Sequence, residues 1–188
     1  MIYIVYYKMC DTAILIIDMQ NEFRKIITDD LIQNIKEVIN VCRKEKSHII
    51  WIYSNYDEID NTNYDDRLKG GHNGTINKMC VKDTYGAEII EELKEIIKDM
   101  DLIIKKSMYS AFTNTNLYEE LFSRNIKKLK ICGVTSNTCL LATSKIAHDL
   151  GYEITLLKNC CNAFSKEKHE RAMIEYSDMN IKIESISV

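Results

Sequence analysis

Six short runs rich in β-branched and apolar residues recur along the chain with longer helical patterns between them: Ala13–Ile17, His48–Tyr53, Leu102–Ile104, Leu129–Val134, Glu153–Leu157 and Ile181–Ile186. This alternation constrains the fold more than any other feature. The runs are nearly continuous in hydrophobicity, and strands apolar on both faces belong in a parallel sheet covered by helices on each side. Helices are predicted at about 30–46, 86–99, 115–125, 137–150 and 166–178, with Leu31, Ile35, Val38 and Cys42 as one apolar stripe and Ile89, Leu93 and Ile97 as another. The βα order predicts a three-layer α/β domain with a mostly parallel sheet, helices on both faces and right-handed crossovers. No internal repeat or linker divides the chain, so one domain is expected over residues 1–188.

Composition narrows the partners. At 188 residues, 46% of them hydrophobic, the chain can bury a full core without a disulfide or metal staple. A formal charge of −3 with no basic block argues against nucleic acid. The apolar opening Ile2-Tyr3-Ile4-Val5-Tyr6-Tyr7 has no basic residue before it and no small-residue cleavage site, so it does not read as a signal peptide. No run approaches the roughly 20 apolar residues of a membrane span, so no membrane association is expected.

Seven cysteines (10, 42, 80, 132, 139, 160 and 161) show no C-x-x-C pair and no Cys/His zinc spacing, and His48, His72, His148 and His169 are scattered. The reading is a cytoplasmic protein with reduced thiols and no metal or cofactor. Cys42 and Cys132 are expected in the core. Adjacent Cys160 and Cys161 are poorly placed to bridge each other, and a solvent-facing thiol beside a core filler is expected.

Residues 54–85 break the rhythm: the segment is polar, aperiodic and holds Gly70, Gly71 and Gly74. A lid or binding loop and a disordered surface insertion are both open readings. His72, within it, reads as solvent-exposed.

In an open parallel sheet, ligands bind outside the carboxyl ends of the strands. Three of those ends carry reactive groups: Asp18, the pair Lys105 and Lys106, and Cys139 within Thr135-Ser136-Asn137-Thr138-Cys139. Adjacent lysines on a strand point to opposite sides, so one enters the crevice at most. Cys139 falls in the first turn of the predicted helix 137–150, with Thr135 or Ser136 as N-cap. Free N–H groups and a nearby ammonium there are expected to lower the thiol pKa and favour the thiolate. The same N–H groups, with the Gly133–Thr135 turn, could hold an oxyanion. Each residue also has a plainer role: Cys139 as a small buried hydrophobe, Asp18 as a cap, the lysines as surface charges.

Three blocks together resemble the signatures of the isochorismatase-like cysteine hydrolases: Ile14-Leu15-Ile16-Ile17-Asp18-Met19-Gln20-Asn21-Glu22-Phe23, Lys106-Ser107-Met108-Tyr109-Ser110-Ala111-Phe112 and Gly133-Val134-Thr135-Ser136-Asn137-Thr138-Cys139-Leu140-Leu141-Ala142-Thr143. The resemblance begins near Cys10 and leaves residues 1–8 as an N-terminal extension. It implies a six-stranded parallel sheet and a triad of Asp18, Lys106 and Cys139, with Asp18 taking the thiol proton, Lys106 orienting the acid, and Cys139 attacking a carbonyl or amide carbon. It also implies a cis Val134–Thr135 peptide, an oxyanion hole from Thr135 and Cys139, and substrate contacts from Gln20, Phe23, Tyr109, Phe112, Val134 and Thr138. Aromatic residues this close to a core also serve as plain packing.

Departures from the family pattern refine the expectation. Members that cleave isochorismate's vinyl ether often lack the cysteine, so Cys139 points to an amide or related C–N bond. Nicotinamidases carry an Asp and two His after the second strand; here Ser54-Asn55-Tyr56-Asp57-Glu58-Ile59-Asp60 holds no histidine, which disfavours that activity and a metal. The common Gly-Thr-Pro-Gly block reads Asp83-Thr84-Tyr85-Gly86. The leading expectation is a cofactor-free hydrolase of a small molecule, built as a homo-oligomer. Vinyl-ether hydrolysis, a non-catalytic binding subunit and a thiol redox sensor are the alternatives.

Overall fold

A computed structural model describes residues 10–56 and 79–186. The N-terminal extension and the centre of the 54–85 loop, with His72, lie outside the described residues. Strands β1 (Thr12–Ile17), β2 (His48–Ser54), β3 (Leu102–Lys106), β4 (Lys128–Val134), β5 (Glu153–Asn162) and β6 (Lys182–Glu184) form one sheet in the order β3-β2-β1-β4-β5-β6. Every pairing is parallel, as continuous apolar runs require.

The strand period divides the core. Ile14 and Ile16 of β1 face one side, where α1 (Asp29–Lys44) brings Leu31, Ile35, Val38, Ile39 and Cys42 against Trp51 and Cys132. Ala13, Leu15 and Ile17 face the other, under α3 (Leu117–Ser123), α4 (Cys139–Asp149) and α5 (Lys166–Asp178). Helix starts follow local capping chemistry: the Leu31 amide donates to Thr28 Oγ1 at 3.2 Å and the Lys168 amide to Ser165 Oγ at 3.2 Å. Behind α1, Asp101 accepts from Arg43 at 2.8 and 2.7 Å and from Trp51 Nε1 at 3.0 Å, tying helix, sheet and the approach to β3 together.

One predicted helix differs. Over 86–99 only α2 (Glu91–Lys94) forms, after a short 3-10 turn at Tyr85–Ala87. Residues 88–90 are drawn against the chain after β1 instead: the Asn21 amide donates to Glu88 O at 3.0 Å, and the Ile90 amide to Met19 O at 3.0 Å. At the far end Asp101 takes the Lys98 amide at 3.0 Å and closes the segment as a turn. Long-range pairing overrides the stripe of Ile89, Leu93 and Ile97.

The strand order reverses direction between β1 and β4, which places the ligand crevice outside their carboxyl ends. The backbones there are unusually close. Gly133, at φ +115, lies where an added Cβ would stand 2.0 Å from the Ile17 carbonyl oxygen. Only glycine fits this contact.

Candidate active site

Asp18 follows β1 at φ +54, with its amide donated to Ile52 O at 2.8 Å, and its side chain is fully buried. Lys106 ends β3 and points inward, while Lys105 points the other way with its ammonium 5.8 Å from the centre of the Tyr53 ring. Cys139 is the first residue of α4 and 6% exposed. The three meet at the ammonium: Lys106 Nζ stands 2.9 Å from Asp18 Oδ2 and 3.4 Å from Cys139 Sγ, and also donates to Met108 O at 3.3 Å.

Electrostatics set the resting state. Burial pulls the Lys106 ammonium down, but Asp18 and Cys139 outweigh it and hold the group above the ordinary lysine value. Burial, reinforced by the Asp18 charge and opposed by Lys106, pushes the Cys139 thiol up to about 12. The sequence-based expectation of a lowered pKa is therefore corrected: desolvation outweighs the ammonium and the helix start, and the sulfur rests as a thiol.

The turn before α4 also differs from expectation. Thr138 is the N-cap residue, without a side-chain capping bond; Thr135 Oγ1 bonds Thr138 Oγ1, and Ser136 Oγ pairs with His169 Nδ1 at 3.0 Å. The Val134–Thr135 peptide is cis. The amides of Ser136, Thr138 and Leu140 are engaged by Asn162 O, Thr135 O and Thr135 O respectively. As the first residue of α4, Cys139 has no intrahelical acceptor for its own N–H.

The expected substrate contacts separate. Gln20 is fully buried and its amide is spent on backbone: Nε2 donates to Ser54 O and Ala87 O, each at 2.7 Å, and Oε1 accepts the Ser54 amide at 2.9 Å. It is a clamp rather than a substrate contact. The Val134 side chain lies in the core, and Phe23, 8% exposed, packs against Phe164 at 6.2 Å between ring centres. Phe112 rests on Tyr152 at 6.1 Å; Tyr109 and Thr138 are half-buried. Cys42 and Cys132 are core residues as expected, but Cys160 and Cys161 are both buried, so neither is the solvent-facing thiol. Both lie on β5 and face opposite core layers, Cys160 the α1 side and Cys161 the other.

Sequence reasoning missed three residues. Ser54, at the end of β2, touches both Asp18 and Lys106. Tyr56 and Cys80 sit within the field of Asp18, Lys106 and Cys139, and burial pushes the Tyr56 phenol up to about 12 and raises the Cys80 thiol well above its usual range. The one available signal was the position of Ser54 at a strand end; Tyr56 and Cys80 are joined by backbone bonds, Tyr56 N–H to Cys80 O at 3.1 Å, that no periodicity announces.

A family model described as the Isochorismatase domain matches residues 12–187. The chain belongs to this family. It is an isochorismatase-like hydrolase. Among its relatives, a probable inactive nicotinamidase of Arabidopsis thaliana is 29% identical over 182 residues, covering 92% of this chain and 91% of that protein. A ureidoacrylate amidohydrolase of Acinetobacter baylyi is 25% identical over 193 residues, covering 86% and 75%. The crystal structure of the Pyrococcus horikoshii pyrazinamidase in complex with zinc superposes with a TM-score of 0.80 at 26% identity, covering 94% of this chain and all of that one.

Among the described residues no group of three or more His, Cys, Asp or Glu side chains could hold a metal such as that neighbour's zinc. The described residues directly after β2 are Asn55, whose Oδ1 is buried without a hydrogen-bond partner, and Tyr56 with its protonated phenol, neither of them a usual zinc ligand. No helix among the described residues is long and apolar enough to cross a membrane.

Proposed function

We propose that this isochorismatase-like hydrolase cleaves a small-molecule amide or related C–N bond through Asp18, Lys106 and Cys139, without metal or organic cofactor. The observation that carries the reading is the single buried ammonium in contact with both a carboxylate and a thiol, 2.9 and 3.4 Å away. A nucleophile, a base and a charge that holds the ionised pair are what acyl transfer to sulfur needs.

Substrate enters, Asp18 takes the Cys139 proton, and the thiolate attacks the carbonyl carbon. The new negative charge on oxygen is met by the Thr135 and Cys139 amides, their neighbours in the turn being already engaged. Asp18 returns the proton to the departing nitrogen, leaving a thioester and a free amine. Water then attacks the thioester, giving its proton to Asp18, and the acid departs as the thiol is restored. Lys106 offsets the negative charge as it passes between oxygen and sulfur.

Tyr109 and Thr138, half-buried beside the nucleophile's turn, line the substrate in this reading. Asn55 Oδ1 and Asn137 Oδ1, both buried without partners, supply acceptors for substrate N–H groups. The names of two relatives, a nicotinamidase and a ureidoacrylate amidohydrolase, make carboxamides and ureido acids the substrate classes to try.

The test is ammonia or amine release from a panel of small carboxamides, ureido acids and nicotinamide by the wild-type protein beside Cys139→Ala and Asp18→Asn. Turnover lost in both variants supports the reading. Turnover retained by Cys139→Ala but lost in Asp18→Asn assigns acid-base chemistry without a sulfur nucleophile instead. A fully inert panel under reducing conditions overturns the amidase reading.

A further inference from the structure

We infer that Ser54 is a positioning residue of this site: its hydroxyl bridges Lys106 and Asp18 and thereby fixes the orientation of the carboxylate that is to take the proton from Cys139. The inference rests on the catalytic reading above and deepens it.

The geometry fixes the direction of the bridge. Lys106 Nζ lies 2.8 Å from Ser54 Oγ, and an ammonium can only donate. The hydroxyl has one proton, and with its lone pair turned to Lys106 that proton goes to Asp18 Oδ1, 3.0 Å away. Oδ1 is therefore an acceptor already in use. Oδ2 is held by Lys106 at 2.9 Å, so hydroxyl and ammonium each fix one oxygen of the buried carboxylate.

Ser54 is held for the task. It is 2% exposed, and in the parallel register it stands opposite Lys106. Its amide and carbonyl are both taken by Gln20, and the next amide, that of Asn55, donates to Lys106 O at 2.9 Å. A serine needed only to fill space at the end of a strand would not require its backbone clamped on both sides by a buried side chain.

Removing the hydroxyl takes a donor from Oδ1 and leaves that side of the carboxylate free to turn. The titratable groups facing Asp18 are Lys106 from β3, Cys139 from α4, and Tyr56 and Cys80 from the chain beyond β2. Tyr56 also shares a side-chain hydrogen bond with Ser54.

The experiment follows alkylation of Cys139 by iodoacetamide, read on the Cys139 peptide by mass spectrometry from acidic to alkaline pH, in wild type, Ser54→Ala, Ser54→Val and Ser54→Thr. This readout needs no substrate. The expected result is a rate near neutrality lowered about tenfold in the alanine and valine variants, with the threonine variant restoring the wild-type profile. Valine and threonine have the same shape, so their comparison holds if alanine fails to fold. Overlapping profiles for valine and threonine overturn the inference. If the profiles separate while no amide is hydrolysed by wild type, the positioning role stands and the amidase reading fails.

Discussion

Gly133 and Ile17 touch backbone to backbone at the point where the sheet changes direction, with no room between them for a side chain. The contact brings the end of β4, and so the turn leading to Cys139, alongside the end of β1, from which Asp18 emerges. Gly133→Ala must displace backbone and also adopt a φ of +115. The expected loss is about 3 kcal/mol or more of folding stability, read by chemical denaturation. A midpoint equal to wild type would show that the two strands can part without cost.

Gln20 separates clamp from substrate contact. Gln20→Ala leaves the Ser54 amide and carbonyl buried without partners, each omission costing about 1–3 kcal/mol. Stability and kcat are expected to fall while KM for a cleaved amide stays near wild type. A rise in KM alone would restore Gln20 to the substrate's side.

The buried thiols predict alkaline weakness. Burial raises Cys139 to about 12 and Cys42 to about 11, above the ordinary 9.0. For groups whose folded pKa is raised, the stabilisation is complete below the unfolded value and is lost as pH climbs through the folded one. The denaturation midpoint should therefore hold near neutrality and fall between about pH 9 and pH 12. A flat profile across that range would contradict the burial of these sulfurs.

Asp101 predicts the opposite limb. Its burial raises the carboxyl, but the bonds from Arg43, Trp51 and the Lys98 amide prevail and lower it below 3.8. Its contribution is present above the unfolded value and disappears as pH falls. Asp101→Asn should cost about 3 kcal/mol near neutrality and flatten the acid side of the stability curve. An unchanged acid side would assign acid unfolding to other carboxylates.

Much of this was legible in the residues. Continuous apolar runs announced parallel strands, the rule that ligands bind beyond strand ends put forward Asp18, the pair Lys105 and Lys106, and Cys139, and the family resemblance singled out Lys106. The missing helix over 86–99 was not legible, because its stripe is genuine and only pairing with residues 19–21 defeats it. The clamping role of Gln20 and the place of Ser54 escaped for a related reason: they rest on bonds to residues distant in the chain, which leave no period in the sequence. The state of Cys139 was misjudged because desolvation belongs to the folded interior and spacing alone does not carry it.

That sulfur has a consequence beyond turnover. Peroxides and electrophiles attack the deprotonated form, and a thiol with a pKa near 12 offers almost none of it at rest. In the proposed mechanism the reactive atom therefore waits in a dormant form, awakened when a carbonyl group docks and the carboxylate alongside accepts hydrogen.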